Sequence, residues 1–226
     1  MKFILIFLQF CSATAFDFNA KTIRIIDGDT AKVSPKPGQV KSVRFKGIDA
    51  PEYHLPVELP NGSKIVVGQL PWGELSTAVL EKILPLDSFT TIKNTTIDKY
   101  NRIVGKIFLN NHDVNLEMIK LGWAVPYIIC SGPECTLDFF AIENVEGYFK
   151  ACVQARSQKI GVFDPVNPLA ELPFEFRMRM LGKKPEKFVG DYRTRKLYDP
   201  DQYKKVDPCF AIFFYTKLEA NRVGFY

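Results

Sequence analysis

From Lys21 onward, apolar and polar residues alternate with the period of two that marks a half-buried strand. KTIRIIDGDTAKVS sets two short apolar runs on either side of Asp27-Gly28-Asp29, and VKSVRFKGI alternates over residues 40–48, so a meander is predicted at the start. SFTTIKNTTI and RIVGKIFL repeat the signature further along. Between these groups the stretch from Glu52 to Gly73 is punctuated by proline and by Asn61-Gly62, which predicts a long loop with little regular structure. Long loops inside compact domains are often functional.

Helical spacing appears three times. WGELSTAVLEKIL places Leu75, Val79, Leu80 and Ile83 on one face until Pro85 ends the run, and NLEMIKLG predicts a short helix capped by Asp113 or Asn115. A third helix is predicted from about Leu137 to Lys159, with Phe139, Phe140, Ile142, Val145, Phe149 and Val153 as its buried side. That makes about five strands and three helices before Asp164, then a proline-rich linker, DPVNPLAELP, and a tail with a basic first half.

Hydrophobic residues are 46% of the chain and charged residues 24%, ordinary globular usage that excludes disorder and collagen. The formal charge of +5 is compatible with an anionic partner and too small to prove one. The start, MKFILIFLQFCSATA, joins one lysine, a short apolar run and Ala13-Thr14-Ala15, the pattern of a cleaved export signal over residues 1–15. The run is far shorter than the roughly 20 residues a bilayer requires, so a secreted or periplasmic protein without stable membrane association is expected. Cys130, Cys135, Cys152 and Cys209 would then sit in an oxidising compartment as disulfides. Three connectivities are possible. Cys130 with Cys135 and Cys152 with Cys209 is the simplest, while pairings of Cys130 or Cys135 with Cys152 stay open.

Four fragments carry candidate chemistry: Asp27-Gly28-Asp29-Thr30, Arg44 followed by Asp49-Ala50-Pro51-Glu52, Asp98-Lys99-Tyr100-Asn101-Arg102, and Leu121-Gly122-Trp123-Ala124. Singly each is unremarkable, since Asp-Gly-Asp is an ordinary turn. In this order and spacing they resemble the thermonuclease family, the staphylococcal-nuclease-like phosphodiesterases, over about residues 21–165. The resemblance implies a mainly β plus α fold: a five-stranded OB-fold barrel with about three helices, here followed by a small C-terminal appendage of unclear function at residues 166–226.

A phosphodiester is already anionic, and in-line attack by water adds charge to its equatorial oxygens, so fixed cations and an oriented nucleophile are needed. By resemblance Arg44 and Arg102 are the phosphate clamps, and Glu52 positions or deprotonates the attacking water. Asp29, Asp49 and the backbone carbonyl of Ala50 would bind one Ca²⁺, which accepts hard oxygen ligands completed by water. Lys99 and Tyr100 would contact a terminal phosphate of the substrate. Asn101 stands where the family has glycine, tolerable because asparagine also visits left-handed backbone angles. The implied activity is calcium-dependent hydrolysis of DNA and RNA with little sequence preference, giving 3′-phosphate ends. The rival class is a non-catalytic OB-fold module that binds single-stranded nucleic acid.

Overall fold

The structure is a computed structural model that describes residues 16–98 and 100–226. The predicted export signal and Lys99 lie outside these residues. β1 (Phe18–Asp27) and β2 (Thr30–Ser34) form an antiparallel hairpin in which Asp27 faces Thr30, leaving Gly28 and Asp29 as the turn. The turn needs glycine for packing, because a Cβ on Gly28 would lie 2.4 Å from Ser76 Oγ and 2.7 Å from Ala50 Cβ. β2 continues to β3 (Lys41–Phe45), with Thr30 opposite Arg44.

The predicted run over residues 40–48 is interrupted. Gly47 takes φ +81°, so the chain leaves the barrel as β4 (Gly47–Asp49) rather than extending β3. The segment expected to be an irregular loop contains a hairpin, β5 (Leu55–Glu58) with β6 (Lys64–Val67), turned around Asn61-Gly62. Leu55 and Val57 alternate inward and are buried, a period-two signal hidden by the surrounding prolines.

α1 (Trp72–Ile83) follows the expected helical run, then β7 (Phe89–Ile97), β8 (Ile103–Leu109) and a short β9 (His112–Asp113). Strands β3-β2-β1-β7-β8 are neighbours, and parallel pairing of β3 with β8 closes them into the expected five-stranded barrel. Val43, Phe45, Ile92, Ile103 and Ile107 fill its interior. α2 (Val114–Lys120) is capped by the Asp113 carboxylate, which accepts from Leu116 N. β10 (Val125–Ile129) then pairs with β4, Val125 opposite Asp49.

The third predicted helix is two helices, α3 (Phe139–Ile142) and α4 (Val145–Gln158). Lys106 Nζ takes the Glu143 carbonyl at 2.6 Å, its ammonium and that of Lys46 pair with the Glu143 carboxylate, and Asn144 turns to φ +51°. Buried Lys106 thus takes a main-chain carbonyl that a continuous helix would use. Ile142 is exposed as a result, against the expectation that it faces the core.

The tail consists of α5 (Pro173–Met180), β11 (Phe188–Asp191), β12 (Leu197–Tyr198), β13 (Ala211–Phe214) and α6 (Lys217–Arg222). β13 pairs in parallel with β10, so one sheet ordered β12-β11-β13-β10-β4 runs from the barrel side into the tail. Ile212, Phe214 and Phe225 share one buried cluster with Phe45, Ile48 and Tyr148. The cysteines pair as Cys130–Cys135 and Cys152–Cys209, with Cα atoms 4.9 and 5.5 Å apart. No helix among the described residues is long and apolar enough to cross a membrane.

Candidate active site

Arg44 stands on the face of β3 opposite Val43 and Phe45, as its alternation requires. Its Nη2 donates to Asp49 Oδ1 at 2.5 Å and its Nη1 to Asp29 Oδ1. The two carboxylates, 1% and 0% exposed, come from the β1–β2 turn and the end of β4. They meet because Arg44 is opposite Thr30 and the Phe45 N–H donates to the Asp29 carbonyl at 2.8 Å. Asp29 Oδ2 accepts from the main-chain N–H of Ala50 at 2.7 Å, which brings Ala50 to the same place.

Glu52, also buried, is the third acid. Burial lifts its carboxyl above the ordinary value, although the charges of Arg177 and Arg44 pull the other way. Its main chain is fixed on both sides: the Glu52 N–H donates to Gln69 Oε1 at 3.2 Å, and the Glu52 carbonyl accepts from Gln69 N at 2.7 Å. Gly73, at the start of α1, abuts the same carbonyl so closely that a Cβ there would lie 2.2 Å from it.

Arg102 immediately precedes β8, two residues before the Val104 that faces Arg44 across the parallel β3–β8 pair, so extension of the strand geometry puts both arginines on one face. Its Nε donates to Asp98 Oδ2 at 2.8 Å. Asp98 Oδ1 accepts from the N–H groups of Tyr100 and Arg102, each at 2.9 Å, and Asn101 takes φ +59° as its replacement of glycine predicts. Burial raises the Asp98 carboxyl, but these hydrogen bonds outweigh it and hold the group below its usual value. Tyr100 is exposed beside the Arg102 guanidinium, 5.5 Å from ring centroid to Cζ.

Two members of the site were given no role in the sequence reading, although Asp27 lies in one of its four fragments. Asp27 at the end of β1 is close enough to feel the charges of Arg44, Arg102 and Arg177, while its own burial raises its carboxyl above the ordinary value. Arg177 on α5 is the larger surprise: Nη1 donates to Asp49 Oδ1 at 2.6 Å and to Glu52 Oε1 at 2.5 Å, and Nη2 donates to Asp49 Oδ2 at 3.0 Å. The two carboxylates outweigh burial and keep the guanidinium firmly charged. Its sequence context, FEFRMRM, reads only as an amphipathic helix start, so nothing local distinguished it from Arg179, which pairs with Glu171 at the surface.

The donor set suits a hard divalent cation. Asp27, Asp29, Asp49 and Glu52, when ionised, bring four negative charges against the guanidinia of Arg44 and Arg177, an excess of two. Among the described residues Asp29 Oδ2 and Asp49 Oδ2 each accept a single hydrogen bond, which leaves each a lone pair. Among the described residues no group of three or more His, Cys, Asp and Glu is arranged to hold a metal, so two carboxylates would need main-chain carbonyl and water to complete the shell.

The family described as staphylococcal nuclease homologue matches residues 42–163, a span that holds Arg44, Asp49, Glu52 and Arg102 but neither Asp29 nor Arg177. Endonuclease YhcR of Bacillus subtilis (strain 168) is 33% identical over 210 residues, covering 89% of this chain and 16% of that protein. Probable endonuclease LCL3 of Colletotrichum graminicola is 32% identical over 171 residues, covering 71% of this chain and 55% of that protein. The chain therefore spans a small part of the first relative and about half of the second. With a closed five-stranded barrel, the Arg44-Asp49-Glu52 cluster on its surface and more than half of its length matched, the chain belongs to the staphylococcal nuclease homologue family.

Proposed function

We propose that this chain is an exported, calcium-dependent nuclease that hydrolyses phosphodiester bonds of DNA and RNA and leaves 3′-phosphate ends. The observation that carries the reading is Arg44 bridging the buried carboxylates Asp29 and Asp49 beside Glu52. Two guanidinia, Arg44 and Arg102, donate to the non-bridging oxygens of the scissile phosphate and strengthen those bonds as charge builds up in the transition state. Glu52 orients a water in line with the leaving 5′ oxygen and takes its proton. The water oxygen bonds to phosphorus as the bond to the 5′ oxygen breaks. Asp29, Asp49 and the Ala50 carbonyl would hold Ca²⁺, which supplies a fixed positive charge beside the phosphate. Such groups contact the sugar-phosphate chain rather than base edges, so cleavage carries little sequence preference. Tyr100 and Lys99 would take a terminal phosphate. The two disulfides support residence in an oxidising compartment after export.

Incubation of the purified protein with plasmid, single-stranded DNA and RNA, with Ca²⁺ or with chelator, tests this directly. Degradation is expected only with Ca²⁺, with fragments that accept no 3′ extension until a phosphatase treats them. Binding without loss of substrate at any calcium level would make the chain a non-catalytic single-strand-binding module. Asp29→Asn and Asp49→Asn should each weaken Ca²⁺ binding by at least about tenfold in calorimetric titration, because each removes one charge from a site with few protein ligands. An unchanged affinity in both would eliminate the assigned metal site.

A further inference from the structure

We infer that Arg177 is a positioning residue of the catalytic centre, and that the C-terminal appendage is thereby part of the machinery that holds Glu52. The inference rests on the nuclease reading above. Three contacts converge on the Glu52 segment from the tail. Arg177 Nη1 bonds Glu52 Oε1 at 2.5 Å while the same guanidinium spans both oxygens of Asp49. Gln69, which grips the Glu52 main chain, donates from Nε2 to the Glu171 carbonyl at 2.9 Å. Leu55 and Val57, on the hairpin just after Glu52, form a buried cluster with Phe176 of α5. α5 itself is anchored by Pro173 in its first turn and by Glu175, which accepts from Leu172 N at 2.7 Å and from Tyr203 Oη at 2.8 Å.

The geometry favours positioning over two other roles. Arg177 Nη1 and Nη2 donate to Asp49 and Glu52, and of the two guanidinia on Asp49 it is the one that also holds Glu52, the contact a positioning role requires. Only Oε1 of Glu52 is engaged, and Oε2 accepts no hydrogen bond among the described residues, so the carboxylate is oriented with one oxygen open rather than capped. The bidentate pair is with Asp49, and it fixes the guanidinium plane from which Nη1 reaches Glu52 Oε1, a geometry that an ammonium does not provide.

The test uses the full chain with Arg177→Ala and Arg177→Lys, and with Lys184→Ala as a variant that removes an exposed appendage cation. Both Arg177 variants should lower kcat on single-stranded DNA by roughly a hundredfold, the scale set by misplacing a reacting group by about 1 Å. KM, and the dissociation constant for the same DNA measured by fluorescence anisotropy in chelator, should stay within about threefold, since uniform binding is not what is lost. Millimolar guanidinium ion should restore part of the Arg177→Ala turnover, and Lys184→Ala should match the parent. Should Arg177→Ala fail to fold by circular dichroism, Arg177→Lys, which preserves the cation and the packing stem, carries the same reading. Unchanged kcat overturns the inference. Raised kcat would make Arg177 a latch, and weakened DNA binding at unchanged kcat would make it a phosphate ligand; either also overturns it. A parent protein that leaves DNA intact with Ca²⁺ overturns the nuclease reading itself, whereas a cleaving parent matched by its Arg177 variants sinks only the present one.

Discussion

Arg44→Ala and Arg102→Ala should each reduce turnover on DNA by at least about a hundredfold, the loss of about 2.7–4 kcal/mol that follows removal of one oriented donor to a developing anion. The two variants differ in what else they disturb. Arg44 is mostly buried and neutralises Asp29 and Asp49 together, so its removal leaves Asp29 without its guanidinium partner and should also lower the melting temperature. Arg102 pairs with Asp98 at a more exposed position, 36% exposed at its side chain, where such a pair is worth about 0–1 kcal/mol. Its variant should stay as stable as the parent, and a loss of turnover there reports on chemistry alone. Lysine at either position should not restore the rate, because a point charge does not match two phosphate oxygens at once. Steady-state kinetics beside thermal melts decides: either variant cleaving within about threefold of the parent would remove that arginine from the transition state.

Loss of the Cys152–Cys209 bond is the largest expected change in stability. It closes a loop of 57 residues between α4 and the turn before β13, and the chain-entropy model assigns such a cross-link about 4 kcal/mol. Cys130–Cys135, with a separation of 5, falls near 2 kcal/mol in the same model. The double variant Cys152→Ala, Cys209→Ala should therefore shift the denaturant midpoint about twice as far as Cys130→Ala, Cys135→Ala. Turnover should fall with the first pair as well, because α5 and β13 belong to the same tail and Arg177 depends on their seating. Equal shifts for the two pairs would contradict the loop-length argument.

Most of the barrel was legible because each strand declares itself locally. Val43 and Phe45 alternate with Arg44 whatever the rest of the chain does, and the Asp-Gly-Asp turn can only be tight. The break at Gly47 and the hairpin inside the proline-rich segment were harder, because one residue with positive φ and two buried alternating positions are weak signals beside their neighbours. Helix α3 ended early for a reason that no helical pattern contains: Lys106, 37 residues away, takes the Glu143 carbonyl.

The same division runs through the site. The candidates Asp29, Arg44, Asp49, Ala50, Glu52 and Arg102 were legible through the order and spacing of fragments that resemble the thermonuclease motifs, because each fragment taken singly is an ordinary turn or strand. Cysteine number and spacing pointed to the pairing that the structure contains. Only the tertiary structure decided that Arg177, 128 residues beyond Asp49, joins them. An arginine in a short amphipathic helix carries no mark of what it will face. Its partner is set by β13 adding to β10 and by Phe176 packing on Leu55 and Val57, long-range contacts whose energy exists only once the whole core has assembled.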